Sequence, residues 1–389
     1  MVIDEILPRN DIFFYFLNME PLYQLLRIAL SPEDSSIALD RKLSDSEWAA
    51  VHSESLRHLV TAIVYRSISR LPKEQRPSME LVFQWASEAE TVKGHNELLN
   101  AEAARLAQLF EAQGRKTAVL KGAANARLYP DPFMRHAGDI DLWVEGGKKS
   151  VIDLVKKMGF AIDEKDMNAP HHVHLVNTGK VPVEIHYRPS SGVFNPFAKR
   201  HLLRYLENEI LNTERVPEGF SVPSIKFALV MQLAHLQRHF FSEGIGLKQF
   251  VDYYILLLHS MADERREVAL KLGCFGLKRM SGAFMWIMQE VLGLEKEYML
   301  VPPSEKMGKK VLEEVFNSGN FGFNRINAKD LHGINFILRW FTNRWKSIRL
   351  MPYSPFEVFW LQVSYWRNFA KTIPFRIRQR RISIWDLYH

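Results

Sequence analysis

Asp139 and Asp141 flank Ile140 at the start of an apolar run that ends at Val144. In a strand, residues two apart project from the same face. The spacing therefore predicts two carboxylates side by side, with Ile140 pointing the other way. Carboxylates held that close repel each other unless a cation lies between them. Hard cations such as Mg²⁺ take oxygen ligands and usually arrive with substrate phosphates. Upstream, Lys121-Gly122-Ala123 reads as a glycine turn opening a short helix, whose backbone N–H groups can hold phosphate. Downstream, Glu184 sits inside the apolar segment Val181 to Tyr187, where a lone carboxylate is expensive to bury. If its strand neighbours the Asp139 strand, Glu184 completes a three-carboxylate cluster. It would then ligate a metal near an acceptor hydroxyl or accept that hydroxyl's proton. The plainer reading of Glu184 is an ion pair, for instance with Arg188. Together these residues point to metal-assisted phosphoryl or nucleotidyl transfer.

The elements that must position them are legible in outline. Thr117 to Leu120 reads as a short strand, Ile140 to Val144 as a second, and Gly146-Gly147 as a turn into a helix ending at Met158. Phe160 to Ile162 reads as a further strand. His171 to Asn177 and Val181 to Tyr187 flank Thr178-Gly179-Lys180, a hairpin signal. This alternation predicts a small mixed sheet with helices. Before it, apolar residues recur at helical spacing, with a long helix over 78–113 ending at Gly114. After about Pro196 the pattern turns helical again, with strong helices over 224–241 and 247–259 and others near 263–272, 278–292, 303–317, 331–349 and 355–371. The expected fold is α+β, a small mixed sheet with helices flanked by N- and C-terminal helical regions. The expected division is 1–114 helical, 115–195 α/β core, 196–330 a helical domain completing the cleft, and 331–389 a basic, aromatic-rich segment.

Composition narrows the class. The chain has 389 residues, 47% of them hydrophobic, enough for a sizeable core. No apolar run reaches the roughly 18 residues of a membrane span. The start, Met1-Val-Ile-Asp4, lacks the basic residues of a signal peptide. The single cysteine, Cys274, excludes an internal disulfide and a multi-cysteine zinc site, and fits a reducing cytoplasmic location. The net charge of +7 is uneven: 331–389 holds ten Lys or Arg against Glu357 and Asp386, leaving the remainder near neutral. That segment also carries five of the nine tryptophans. It suits nucleic-acid contact, an anionic membrane surface, or ordinary core aromatics with solvated arginines. Phe375 to Ile382 alternates apolar and basic residues, as an amphipathic strand would.

The motifs resemble the nucleotidyltransferase superfamily that includes DNA polymerase beta. More closely, the chain resembles a bacterial group known as the uncharacterised nucleotidyltransferase family. The residues that carry the likeness are Lys121-Gly122, the segment Tyr129-Pro-Asp-Pro-Phe-Met-Arg135, Asp139-Ile-Asp-Leu142 and Glu184-Ile-His186, in that order. The later segments Leu233 to His239 and Gly246 to Asp252 extend it, so the likeness covers roughly 90–260. One departure is Ala123, where the superfamily has Gly or Ser, so a hydroxyl contact to phosphate is lost.

The resemblance implies transfer of a nucleoside monophosphate from an NTP donor to an acceptor hydroxyl or phosphate, with release of pyrophosphate. The acceptor is open: a small molecule, a protein side chain or a tRNA end. Asp139, Asp141 and Glu184 would be catalytic and would hold Mg²⁺, with Mn²⁺ as an alternative. Lys121, Gly122, Ala123, Arg135, His186 and Lys248 would meet the nucleotide. For Arg135 the plainer role is to hold its loop against Asp139. Asp131, between two prolines, reads as a turn residue. The rival reading is a catalytically silent nucleotide-binding or RNA-binding protein on the same fold.

Two histidine groups need weighing. His171, His172, His174 and His186 gather on the proposed hairpin, with His172 and His174 sharing a face; spacing alone is a weak basis for a zinc site. His235 and His239 are four apart on a helix, but Leu236 stands where a metalloprotease needs its acid, which argues against that chemistry. The resemblance places them, with Lys248 and Asp252, along the helical side of the cleft; the alternative is polar packing between two helices.

Overall fold

The structure is a computed structural model that describes residues 19–32, 37–163, 169–176, 178–179, 181–318 and 347–378. The α+β expectation holds. A five-stranded mixed sheet comprises β1 (Thr117–Val119), β2 (Ile140–Val144), β3 (Ala161–Ile162), β4 (His172–Val176) and β5 (Val183–His186), in the spatial order β1-β2-β5-β4-β3. β2 and β5 run parallel; the other pairs are antiparallel. A parallel pair needs a long crossover, supplied here by the helix Gly147–Lys157, β3 and β4.

One face of the sheet is buried. Val119, Ile140, Leu142, Val173 and Ile185 pack with Val151 and Val155 of the crossover helix and with Phe110. Period-two alternation then turns Asp141 and Glu184 to the opposite face. Phe110 closes an unbroken helix, Met79–Glu111, capped by the Ser78 side chain. Its Leu99, Ala103, Leu106 and Phe110 recur at helical spacing and cover the sheet. Trp85, near its start, belongs to a second and larger apolar cluster formed by the helices on either side of the sheet in sequence. The chief members of that cluster near the site are Ile225–Ser242, with Ser224 as its N-cap, and Leu247–Leu258.

The second cluster joins the N-terminal helices to the later ones. His58, at the end of the capping-box helix Asp45–Arg57, is fully buried and packs edge-on against Phe316 at 4.6 Å. The Glu54 carboxylate lies 3.6 Å from its Nε2 and is bound by Arg57. Burial dominates and drives the imidazole pKa down to about 3. The folded value lies below the unfolded one, so the unfolded chain binds more protons as pH falls below about 6.5. The stability His58 contributes is thus complete above that pH and is lost as pH falls towards 3. In urea titrations across this window, His58→Gln is expected to lower the pH slope of stability by up to about 1.4 kcal/mol per pH unit. An unchanged slope would show that His58 does not titrate this way.

Two details depart from expectation. Residues Thr213–Arg215 and Ser221–Pro223 form a two-stranded hairpin where only helix was expected. Helix Pro355–Arg378 runs through Pro374, so 375–378 are helical rather than part of a strand. Extending an existing helix costs less than starting a new element. The rest of that expected strand, with the basic residues beyond Arg378 and most of the helix expected over 331–349, lies outside the described residues. Among the described residues, no helix is long and apolar enough to cross a membrane.

Candidate active site

The parallel pairing of β2 with β5 sets Asp141 directly beside Glu184. Asp139 stands one residue before β2, partly exposed, whereas Asp141 is almost fully buried. The chain reaches them through Gly122, whose φ of 68° and ψ of −109° turn it from β1 into the short helix Ala123–Ala126. Only glycine adopts that conformation readily. A Cβ there would also lie 3.4 Å from the Asp139 carbonyl oxygen. Gly122→Ala is therefore expected to destabilise the fold by about 1–3 kcal/mol. Urea denaturation checks this, and a loss below about 0.5 kcal/mol would show that the turn relaxes.

The acids are held in a charge network. Lys121 Nζ lies 2.5 Å from Asp141 Oδ2 and 3.5 Å from Asp139 Oδ1. Burial disfavours its charge, but the two aspartates outweigh burial and raise its pKa. His186 Nε2 lies 3.1 Å from both Asp141 Oδ1 and Glu184 Oε2, a bifurcated contact. Burial again opposes the charge, yet hydrogen bonds to the two carboxylates raise the imidazole to about 9. Burial pushes the Asp141 and Glu184 carboxyls upward. Lys121 and His186 reverse this for Asp141, and the His186 hydrogen bond leads the reversal for Glu184, so both remain ionised.

The facing wall comes from the two helices of the larger cluster. Arg135 donates from Nε and Nη2 to the two oxygens of Asp252, each at 2.7 Å, and Tyr129 Oη donates to Asp252 Oδ1 at 2.6 Å. Asn96 Nδ2 holds the carbonyls of Phe133 and Arg135, both at 2.8 Å. Asn125 and Gln232 exchange two side-chain hydrogen bonds, 2.7 and 2.8 Å, tying the short helix to this wall. The His235 and His239 rings meet tilted by 54°, 4.0 Å between centroids, and burial holds His235 neutral. Lys248 is buried, its backbone N–H donating to the His58 carbonyl at 3.2 Å. Burial and the nearby Arg135 lower its ammonium to about 8.

Between the walls lies a cleft of about 590 Å³. Lys121, Gly122, Arg135, Asp139, Asp141, Glu184, His186 and Lys248 all line it. Ala123 instead packs into the apolar cluster behind the sheet. Arg188 pairs with Glu207 at 3.3 Å rather than with Glu184. Sequence reasoning passed over Asn125 and Gln232; a glutamine within Phe227 to Leu236, otherwise nearly all apolar, was the available signal.

The donor set suits a hard divalent cation. Asp141, Glu184 and His186 each present one ligand atom, all within 4.8 Å of one another, and Asp139 shares the Lys121 ammonium with Asp141. Carboxylate oxygens predominate, as Mg²⁺ and Mn²⁺ require.

A family model described as uncharacterised nucleotidyltransferase matches residues 44–293. No curated protein matches the sequence. Among solved structures, an antigenic nucleotidyltransferase-like protein from Paracoccidioides brasiliensis is similar over 51% of this chain and 93% of its own, at 17% identity and a TM-score of 0.31.

Proposed function

The chain belongs to the uncharacterised nucleotidyltransferase family, and we propose that it moves a nucleoside monophosphate from an NTP to an acceptor hydroxyl or phosphate, releasing pyrophosphate. The observation that supports this most directly is the register of the parallel strands, which opposes Asp141 and Glu184 beside Asp139 and Lys121 at the mouth of a cleft. In this reading, residues 115–195 supply the carboxylates and 196–330 close the cleft.

Asp139, Asp141 and Glu184 would hold Mg²⁺, which when bound would supply charge neutralisation for the triphosphate. Lys121 supplies fixed positive charge beside the same aspartates. Glu184, held ionised by His186, serves the acceptor hydroxyl, either by ligating the metal beside it or by taking its proton. His186 holds the facing oxygens of Asp141 and Glu184 together. Lys248 and the Gly122 turn meet the triphosphate. Arg135 acts by fixing the loop that carries Asp139, through Asp252. Catalysis then consists of positioning and charge neutralisation, without a covalent enzyme intermediate.

Calorimetric titration of the four common NTPs tests the reading. With Mg²⁺ present, at least one NTP is expected to bind, and chelation with EDTA is expected to weaken it at least about tenfold, a difference of about 1.4 kcal/mol. Binding indifferent to EDTA would remove the metal from the mechanism. Binding by none would favour a degenerate fold, or an enzyme that must bind its acceptor first.

A further inference from the structure

The strand beyond Glu184 carries chemistry that the transfer reaction does not use. β4 pairs with β5 so that His174 lies across from Glu184 and His172 across from His186. His174 Nε2 stands 3.0 Å from Glu184 Oε1, and His172 Nδ1 stands 3.5 Å from Glu184 Oε2. One ligand atom from each of His172, His174 and Glu184 falls within a sphere of mutual distances no larger than 4.8 Å. We propose that these three residues form a second cation site, selective for a transition metal of the Zn²⁺ class, which shares Glu184 with the carboxylate site.

Three observations carry this. The first is spacing. In a tetrahedral centre with bonds of about 2.0–2.1 Å, neighbouring donor atoms lie about 3.3 Å apart. The contacts of 3.0 and 3.5 Å fall on either side of that distance. The second is donor type. Two imidazole nitrogens and one carboxylate oxygen favour Zn²⁺, Co²⁺ or Ni²⁺ over Mg²⁺. His172 Nδ1 also lies 2.8 Å from His171 Nε2, a hydrogen bond that a metal at this nitrogen would replace. The third is access. His174 is 43% exposed, whereas His172 and Glu184 are mostly buried, so the site opens to solvent on one side and leaves room for a further ligand. The two oxygens of Glu184 point to different partners: Oε1 to His174, Oε2 to His186 and His172. Glu184 is thus the one residue that both sites share.

Cobalt(II) reports the site without any enzymatic assay. The untagged full chain, stripped with chelator, is titrated with Co²⁺ in the presence of excess Mg²⁺. One equivalent is expected to give the intense visible absorption of a low-coordinate nitrogen-and-oxygen site, and Zn²⁺ is expected to bleach it. His174→Ala is expected to weaken Co²⁺ binding at least tenfold, and His172→Ala/His174→Ala to abolish the band. Asp139→Asn, which alters only the other site, is expected to keep it. The proposal is overturned if the wild type shows only the pale spectrum of hydrated Co²⁺. It is also overturned if the double histidine variant keeps the band, or if Asp139→Asn removes it. X-ray absorption on the Zn²⁺-loaded wild type needs no variant: imidazole scattering supports the site, and its absence overturns it. Failure of NTP binding leaves these outcomes untouched, so the two proposals fail separately.

Discussion

Asp139→Asn/Asp141→Asn is expected to abolish metal-dependent NTP binding, with a loss of at least about 100-fold in affinity. Partners one step removed from a metal already cost about 10–100-fold when altered, and these side chains are the proposed ligands themselves. Asparagine keeps the shape and removes the charge, so Lys121 loses both of its ion-pair partners without a cavity opening. Calorimetry with the NTP that binds the wild type, in Mg²⁺, gives the answer. Equal affinity in the two proteins would remove the aspartate pair from nucleotide binding. Because Lys121 then faces no aspartate charge, any residual binding by the variant is expected to be insensitive to EDTA.

Arg135→Ala is expected to cost about 3–5 kcal/mol of stability, the range for removing one member of a buried ion pair. Arg135 and Asp252 are both largely shielded from water, and their contact is bidentate. Truncating the arginine leaves the Asp252 carboxylate buried with only the Tyr129 hydroxyl donating to it from this loop. Urea unfolding measures the loss, and a value under about 1 kcal/mol would show that water or another cation replaces the guanidinium. Arg135→Lys separates anchoring from nucleotide contact: a point charge cannot restore the fork. The lysine variant is therefore expected to be intermediate in stability and unchanged in NTP affinity.

The carboxylates were legible because strands have a period of two. Asp139-Ile-Asp141 and the apolar neighbours of Glu184 carry that signal within a few residues. What the spacing alone left open was whether the strand of Glu184 would lie beside that of Asp141, since that depends on how a crossover of some forty residues folds back. Arg135 was harder still. From sequence its partner was either a triphosphate or Asp139; the structure gives Asp252, 117 positions away. Nothing local encodes a charge pair across that distance. Gln232, a polar residue in an apolar helix, was passed over, and its partner Asn125 is 107 positions off. The hairpin at Thr213–Arg215 and Ser221–Pro223 escaped notice because three-residue strands are too short to show alternation. The histidines of β4 were visible as a group, but only pairing with β5 shows that they converge on Glu184.

The Arg135–Asp252 and Asn125–Gln232 bonds also set an order of events during synthesis. A nascent chain that has emerged from the ribosome as far as Tyr187 already contains Asp139, Asp141 and Glu184. It still lacks Gln232 and Asp252, which at about 5–20 residues per second arrive seconds later. Until then the guanidinium of Arg135 has no acid to bury against, and leaving a charge buried alone is costly. The loop bearing Asp139 therefore stays solvated while the sheet behind it forms. Assembly of the cleft therefore waits until residue 252 has emerged, and a truncation ahead of it would keep the three acids and lose the anchor.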